Sequence, residues 1–195
     1  MNTTDNKTAP ITAEKDRNAT SLDLMRRMRL NGMIQAFEES LRSTMAESMT
    51  PDAFLSWLLA REWDYRSTAA IQRLIRNAGF RYNAFLEEVD YTLARSLDRN
   101  QMERLATTDF VKEGQDIFIT GPCGTGKSYL ATALGQEACK RGFRTLYANA
   151  SKLLASLKVA KVKGVLDMEM KKVERASLLI LDDLFIVGLD PKERA

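Results

Sequence analysis

One stretch, GPCGTGKS at residues 121–128, constrains this chain more than any other. It matches the pattern G-x-x-x-x-G-K-[ST]. An apolar run, DIFIT at 116–120, precedes it, and a helical pattern follows it. In that context glycines let the backbone wrap so that its N–H groups point at phosphate oxygens, and the helix start adds its positive dipole end. A glycine turn that merely joins a strand to a helix is the alternative. The complete motif and its flanks favour a phosphate-binding loop.

The loop predicts roles for its residues. Lys127 is expected to reach the β- and γ-phosphates of a nucleoside triphosphate and to serve as a catalytic residue, and Ser128 is expected to ligate Mg²⁺. Cys123 occupies a variable position, so a tolerated small side chain is favoured there over a redox switch. The predicted nucleotide-binding set is Gly121, Pro122, Cys123, Gly124, Thr125, Gly126, Lys127, Ser128 and Tyr129.

A second motif, LLILDD at 178–183, lies downstream of the loop. Four apolar residues followed by two carboxylates predict a strand that ends where ligands bind in open α/β sheets. Asp182 is the predicted carboxylate of the Mg²⁺ shell, and Asp183 is the predicted catalytic group that orients or activates a water. Alone, the motif also fits an ordinary strand exit. Downstream of a phosphate-binding loop, it indicates the second half of one site.

The first half of the chain has helical patterns only. Residues 1–20 are polar and without periodicity, which predicts a disordered tail. Residues 21–107 predict an all-helical N-terminal domain. Within it, Asn31-Gly32 is expected to bend or break a helix, and Thr50-Pro51 is expected to start a long helix that ends at Gly79.

The second half, residues 108–195, alternates strands with helices. Predicted strands at 116–120, 144–148 and 177–183 flank a helix at 129–141 and further helical stretches. This alternation indicates an α/β fold with a parallel sheet and helices on its faces.

Composition excludes several kinds of chemistry. The chain has no histidine, so imidazole acid–base catalysis and histidine-ligated metals are excluded, and carboxylates, lysines or a bound cation must carry any catalysis. No apolar run approaches the roughly 20 residues of a membrane span, and the N-terminus lacks the apolar region of a signal peptide. A cytoplasmic protein without a membrane partner is expected.

The basic residues are unevenly distributed. Residues 140–175 contain ten Lys and Arg against three Asp and Glu, although the net charge of the chain is only +3. Lys158, Lys161 and Lys163 in this region are candidates for contacts to DNA phosphates, which require clustered cations and no base-reading side chains. A solvated helix face is the alternative, and the sequence leaves both open.

Taken together, the residues resemble the IstB family of transposition helper ATPases, which belong to the AAA+ class and are related to the DnaC helicase loaders. The phosphate-binding loop is generic to many NTPases, whereas the helical preamble and GQEACKRGFRTLYANASKLL make the resemblance specific. The stretches that carry it are LRLNGMIQAFEESL, REWDYRSTAAIQRLIRNAGF, SLDRNQMERLATTDFV, ITGPCGTGKSYLATALGQEACKRGFRTLYANASKLLASL and LLILDDLFIVGLDPKERA.

The resemblance implies an AAA+-like P-loop NTPase domain, with ATP and Mg²⁺ as cofactors, behind a small all-helical domain. It also implies a protein that binds double-stranded DNA, oligomerises on it, and stimulates an IstA-type transposase. The alternatives are a DnaC-like helicase loader and a truncated nucleotide-binding and oligomerisation module without hydrolysis. A small-molecule kinase is disfavoured, because nothing resembles a substrate lid.

Two departures from the family pattern bear on hydrolysis. Related proteins read DDFG or DDWG where this chain has DDLFIVG. Family members also continue for several tens of residues past LLILDD, with a strand that lies between the P-loop strand and the LLILDD strand. We therefore expect a truncated chain with an incomplete sheet, which binds nucleotide better than it hydrolyses it.

Overall fold

The computed structural model describes residues 9–44, 48–92 and 97–184, with side chains from residue 17 onward. The chain divides into two compact units, one up to Ala69 and one from Ala70. Within the part that the structure describes, no helix is both long and apolar enough to span a membrane. The separate functional domains proposed at 21–107 and 108–195 stay a prediction.

The first unit is helical. It contains α1 (Ala9–Arg27), α2 (Asn31–Ser40) and most of α3 (Pro51–Ala78). The predicted break near Asn31 is found, since Arg29 takes a left-handed φ of 57° between α1 and α2. The start of α3 at Pro51 and its end before Gly79, which has φ 74°, are also as predicted.

The predicted disordered tail is wrong over part of its length. Helix α1 begins at Ala9, so residues 9–20 are helical, while residues 1–8 lie outside the described part of the chain. The stretch TAEKDRNA at 12–19 is rich in good helix formers although it has no apolar periodicity. Helix propensity, rather than amphipathic patterning, was the informative signal here.

Helices α2 and α3 approach each other closely at Gly32. A Cβ added there would lie 2.5 Å from the carbonyl oxygen of Arg61 and 2.7 Å from Cβ of Tyr65. The carboxylate of Glu62, which is 6% exposed, accepts hydrogen bonds from the backbone N–H groups of Gly32 at 2.7 Å and Met33 at 3.1 Å. A side chain of α3 therefore caps the start of α2.

The second unit carries a short parallel sheet with helices, which confirms the predicted class, an incomplete α/β P-loop sheet behind helices. Strands β1 (Thr145–Asn149) and β2 (Leu178–Asp182) pair in parallel, from Thr145 opposite Leu178 to Asn149 opposite Asp182. Met102, Leu130 and Leu134 form a buried cluster between α4 (Arg99–Ala106) and α6 (Lys127–Lys140). The elements are α4 (Arg99–Ala106), α5 (Asp109–Lys112), α6 (Lys127–Lys140), β1 (Thr145–Asn149), α7 (Ala150–Val162), α8 (Leu166–Glu174) and β2 (Leu178–Asp182).

The predicted strand at 116–120 is wrong. In the described residues the sheet has two strands, β1 and β2, and DIFIT is assigned no regular structure. Its side chains do alternate, because Ile117 and Ile119 are half-buried while Phe118 is 76% exposed. An alternating pattern becomes a strand only when a neighbour takes its backbone hydrogen bonds, and neither described strand pairs with this segment.

Candidate functional site

The glycine-rich loop leads directly into α6. Gly124 and Gly126 have φ values of 79° and 88°, in the left-handed region that only glycine adopts without strain. Gly126 is the N-cap of α6 and has no side chain to cap the helix. The first N–H groups of α6, which need acceptors, are therefore not covered by a capping side chain, and such a helix start favours an anion.

The charge of Lys127 lies within the loop. Its Nζ donates a hydrogen bond of 2.7 Å to the carbonyl oxygen of Pro122, and the hydroxyl of Thr125 donates to the same oxygen at 2.9 Å. Lys127 is half-buried, whereas Cys123 is exposed. A cation at the positive end of a helix dipole is unfavourable unless an anion joins it. The loop thus combines an uncovered helix start with an ammonium group.

Ser128 and Asp182 join the two sequence motifs. The hydroxyl of Ser128 donates to Oδ1 of Asp182 at 2.8 Å, although the residues lie 54 positions apart. Oδ2 of Asp182 accepts a hydrogen bond from the hydroxyl of Tyr147 in β1. Mg²⁺ is usually bound through one or two carboxylates together with phosphates and waters. A serine hydroxyl beside one carboxylate at the start of α6 fits that ion.

The electrostatics of this pair follow from its contacts. Burial acts to raise the pKa of Asp182, but hydrogen bonds from Tyr147, Ser128 and the N–H of Asp183 outweigh it, so the pKa lies below its usual value. Burial and the contact with Asp182 raise the pKa of Tyr147. At neutral pH the site therefore holds an ionised carboxylate and a protonated phenol.

Asp183 follows at the exit of β2 and is held by Asn149. The residue is exposed and has φ 58°, a left-handed conformation that is uncommon for a side chain other than glycine. Nδ2 of Asn149 donates a hydrogen bond of 2.8 Å to Oδ2 of Asp183. Oδ1 of Asn149 accepts from the N–H of Lys152 at 3.1 Å and thereby caps α7. The direction of the Asp183 carboxylate is thus tied to the start of α7.

Tyr129 turns toward the segment that precedes α4. Its hydroxyl donates to Glu88 at 2.9 Å and is bonded to the backbone of Phe85, and its ring stacks on Tyr82 with centroids 6.2 Å apart. The bond to Phe85 acts to lower the pKa of Tyr129, but burial and Glu88 raise it. The structure therefore gives this residue a contact within the unit, and its nucleotide contact stays a prediction.

The three candidate DNA-binding lysines lie at the other end of α7. Lys158 and Lys161 are three residues apart on the helix, Lys163 is its C-cap, and all three are exposed. A helix of 13 residues is about 20 Å long, so they are remote from Asn149 at its start. The structure does not bring them to the phosphate-binding loop.

Two contributors to the site were missed from the sequence. Asn149 carried a usable signal, because asparagine directly before a helical stretch is a common N-cap. Tyr147 carried none, since an aromatic residue in a strand is ordinary core and only the parallel register places its hydroxyl beside Asp182.

Comparisons with known proteins show the family of this chain. The profile of the family described as IstB-like ATP binding protein matches residues 23–195. The "Insertion sequence IS1162 putative ATP-binding protein" of Pseudomonas fluorescens is 33% identical over 175 residues, which cover 89% of this chain and 76% of that protein. The "Putative insertion sequence ATP-binding protein y4pL" of Sinorhizobium fredii is 36% identical over 171 residues, 88% of this chain and 69% of that protein. This chain belongs to the IstB-like ATP-binding protein family.

Proposed function

We propose that this chain is an ATP-binding helper of insertion-sequence transposition that uses Mg²⁺, binds double-stranded DNA, assembles with further copies of itself and stimulates an IstA-type transposase in the cytoplasm. The observation that carries the proposal is the contact of Ser128 with Asp182, which joins the open helix start of α6 to the end of β2. The names of the relatives, insertion-sequence ATP-binding proteins, support the transposition setting.

Each residue of the site has a proposed role that follows from its chemistry. The backbone of the loop and the start of α6 bind the phosphates, and Lys127 leaves the Pro122 carbonyl to pair with the β- and γ-phosphate oxygens. Ser128 and Asp182 supply oxygen ligands to Mg²⁺, which when bound neutralises phosphate charge. Asp183, directed by Asn149, is the candidate for orienting a water.

Calorimetric titration with MgATP tests the nucleotide part. Lys127→Ala removes a charge-assisted contact of about 1.5 to 3 kcal/mol, so the affinity is expected to fall by about one to two decades. Lys171→Ala, the same change on the exposed face of α8, is the control and leaves the affinity unchanged. Equal affinities of the Lys127 variant and the parent would remove Lys127 from the binding site.

The DNA part depends on clustered charge at the end of α7. If Lys158, Lys161 and Lys163 each neutralise one phosphate, replacing all three with Ala weakens binding to unrelated duplexes alike and reduces the salt dependence by about 2.7 units of slope. Fluorescence anisotropy over a range of salt concentrations measures both quantities. An unchanged slope would assign these lysines to a solvated helix end.

Partner and assembly are tested on the same protein. Light scattering with and without ATP and duplex DNA reports self-assembly, and co-purification with the transposase of the same insertion sequence reports the partner. Co-purification with a replicative helicase instead would assign the chain to the loader class.

A further inference from the structure

The phenol of Tyr147 makes a contact that binding of the phosphates does not require. Its hydroxyl donates to Oδ2 of Asp182. Oδ1 of the same carboxylate accepts from Ser128 at 2.8 Å and from the N–H of Asp183 at 3.1 Å. Both oxygens are therefore tied to the protein, one to α6 and the exit of β2, the other to β1.

Tyr147 is itself firmly held. It is 6% exposed, and its ring meets Phe80 edge-on with centroids 6.2 Å apart. Its backbone lies opposite Ile180 in the parallel ladder. A buried ring on a paired strand has little freedom to change rotamer, so its hydroxyl is a fixed point beside Asp182.

We propose that Tyr147 is a positioning residue that orients the Asp182 carboxylate toward Mg²⁺ bound with ATP. The proposal rests on the proposed function, because it requires the nucleotide and the ion to meet at Ser128 and Asp182. O–H donors on both oxygens select one orientation of the carboxylate before the ion arrives. Outer partners of this kind set the direction and the affinity of metal ligands.

The competing explanation is that the bond only satisfies a buried hydroxyl. A purely structural role predicts that its loss affects nucleotide binding with and without Mg²⁺ alike, because the strand and the loop would shift together. A positioning role predicts that only the Mg²⁺-dependent part changes. Tyr147→Phe separates the two, since it removes the hydroxyl and keeps the ring that packs on Phe80.

The experiment is calorimetric titration of ATP into the 195-residue chain and into Tyr147→Phe, in excess EDTA and over a series of Mg²⁺ concentrations. In EDTA the two affinities are expected to agree. The Mg²⁺ concentration at which ATP binding is half-maximally tightened is expected to rise about tenfold in the variant. Tyr91→Phe is the control, because it removes the hydroxyl of a half-buried ring that packs against the cluster of Met102, Leu130 and Leu134.

Each outcome decides the matter. An unchanged Mg²⁺ dependence, or an equal loss of affinity in EDTA, overturns the positioning role. Failure of the parent chain to bind ATP under any condition overturns the proposed function instead. In an Asp182→Asn background the Tyr147 change is expected to add nothing, because its effect passes through that carboxylate, and additive effects would also overturn the proposal.

Discussion

The starts of α2 and α6 meet the same requirement in opposite ways. The first N–H groups of any helix need acceptors from outside the helix. At α2 the carboxylate of Glu62 supplies them, with hydrogen bonds to Gly32 and Met33. At α6 the N-cap is Gly126, which has no side chain, and the next residue is the cation Lys127. The first unit caps the start of α2 with one of its own side chains, whereas the second unit leaves the start of α6 without a side-chain cap.

The difference shows where the sequence departs from what stability alone favours. A negative group at the positive end of a helix stabilises it, and a lysine there does the opposite. Helix α2 follows this rule through Glu62, and α6 violates it at Lys127. Departures from local rules are expected at functional sites. The comparison therefore gives the start of α2 a structural role and supports the proposed phosphate-binding role of the start of α6.

The largest expected loss of stability comes from removing the carboxylate of Glu62, which caps the start of α2. Glu62→Ala leaves two backbone N–H groups without their acceptor and Arg66 without its 2.6 Å ion pair, so the free energy of unfolding of the helical unit is expected to fall by about 2 to 4 kcal/mol. Trp57 and Trp63 are the two tryptophans of the chain and both lie in this unit, so their fluorescence during urea unfolding measures the change.

Glu39→Ala is the matched control for this measurement. Glu39 also pairs with an arginine of α3, Arg61 at 3.6 Å, but both side chains are about half exposed. Exposed pairs contribute roughly 0 to 1 kcal/mol. Equal losses in the Glu62 and Glu39 variants would mean that the cap is not a special feature of α2.

A smaller loss of stability is expected when a closely packed glycine in each unit is replaced with alanine. In Gly32→Ala the new Cβ would clash with backbone atoms of α3, which cannot move aside as a side chain can. We therefore expect the free energy of unfolding to fall by about 1 to 3 kcal/mol. In Gly135→Ala, in α6, the Cβ meets Cδ1 of Ile180 at 2.7 Å and the ring of Phe80 at 2.8 Å, and side-chain ends yield more easily. Urea unfolding followed by circular dichroism compares them, and a larger loss at Gly135 would contradict the ranking.

The smallest expected effect is the change with pH in the stability that Glu62 contributes. Burial acts to raise the pKa of Glu62, but hydrogen bonds from Arg66, Met33 and Gly32 outweigh it and hold the pKa below its usual value of 4.5. A depressed folded-state pKa contributes stability that is complete above the unfolded pKa and is lost as the pH falls through the folded one. The contribution of this group then declines below about pH 4.5, by at most about 1.4 kcal/mol per pH unit.

Glu62→Gln tests this pH dependence. The urea midpoint from tryptophan fluorescence is expected to fall less steeply with acid in the variant than in the parent, because glutamine does not titrate. Parallel curves for the two proteins would show that other carboxylates account for the acid sensitivity of the unit.

Local signals explain what could be predicted from the sequence. Proline at residue 51 starts α3, Gly79 ends it, and the spacing of Gly126, Lys127 and Ser128 marks the start of α6, each through the chemistry of a few adjacent residues. The class of fold could be predicted for the same reason, and the binding roles of the loop residues stay predictions.

Contacts between distant residues explain what could not. The bond of Tyr147 to Asp182 spans 35 positions and the cap of Glu62 on Gly32 spans 30. Neither contact can be predicted from the residue types that flank its partners in the sequence. The failure of 116–120 to form a strand is of the same kind, because pairing depends on a neighbour and not on the alternation of Ile117 and Phe118.

The capping of α2 by Glu62 has a consequence for synthesis on the ribosome. The carboxylate that caps the start of α2 is made 30 residues after Gly32, a delay of roughly 1.5 to 6 seconds at about 5 to 20 residues per second. The loop before α6 needs no such wait, since Lys127 bonds to Pro122 only five positions away. Until α3 emerges, the nascent α2 lacks its acceptor, so we expect α2 and α3 to form together while the phosphate-binding loop takes shape as soon as its own residues are free.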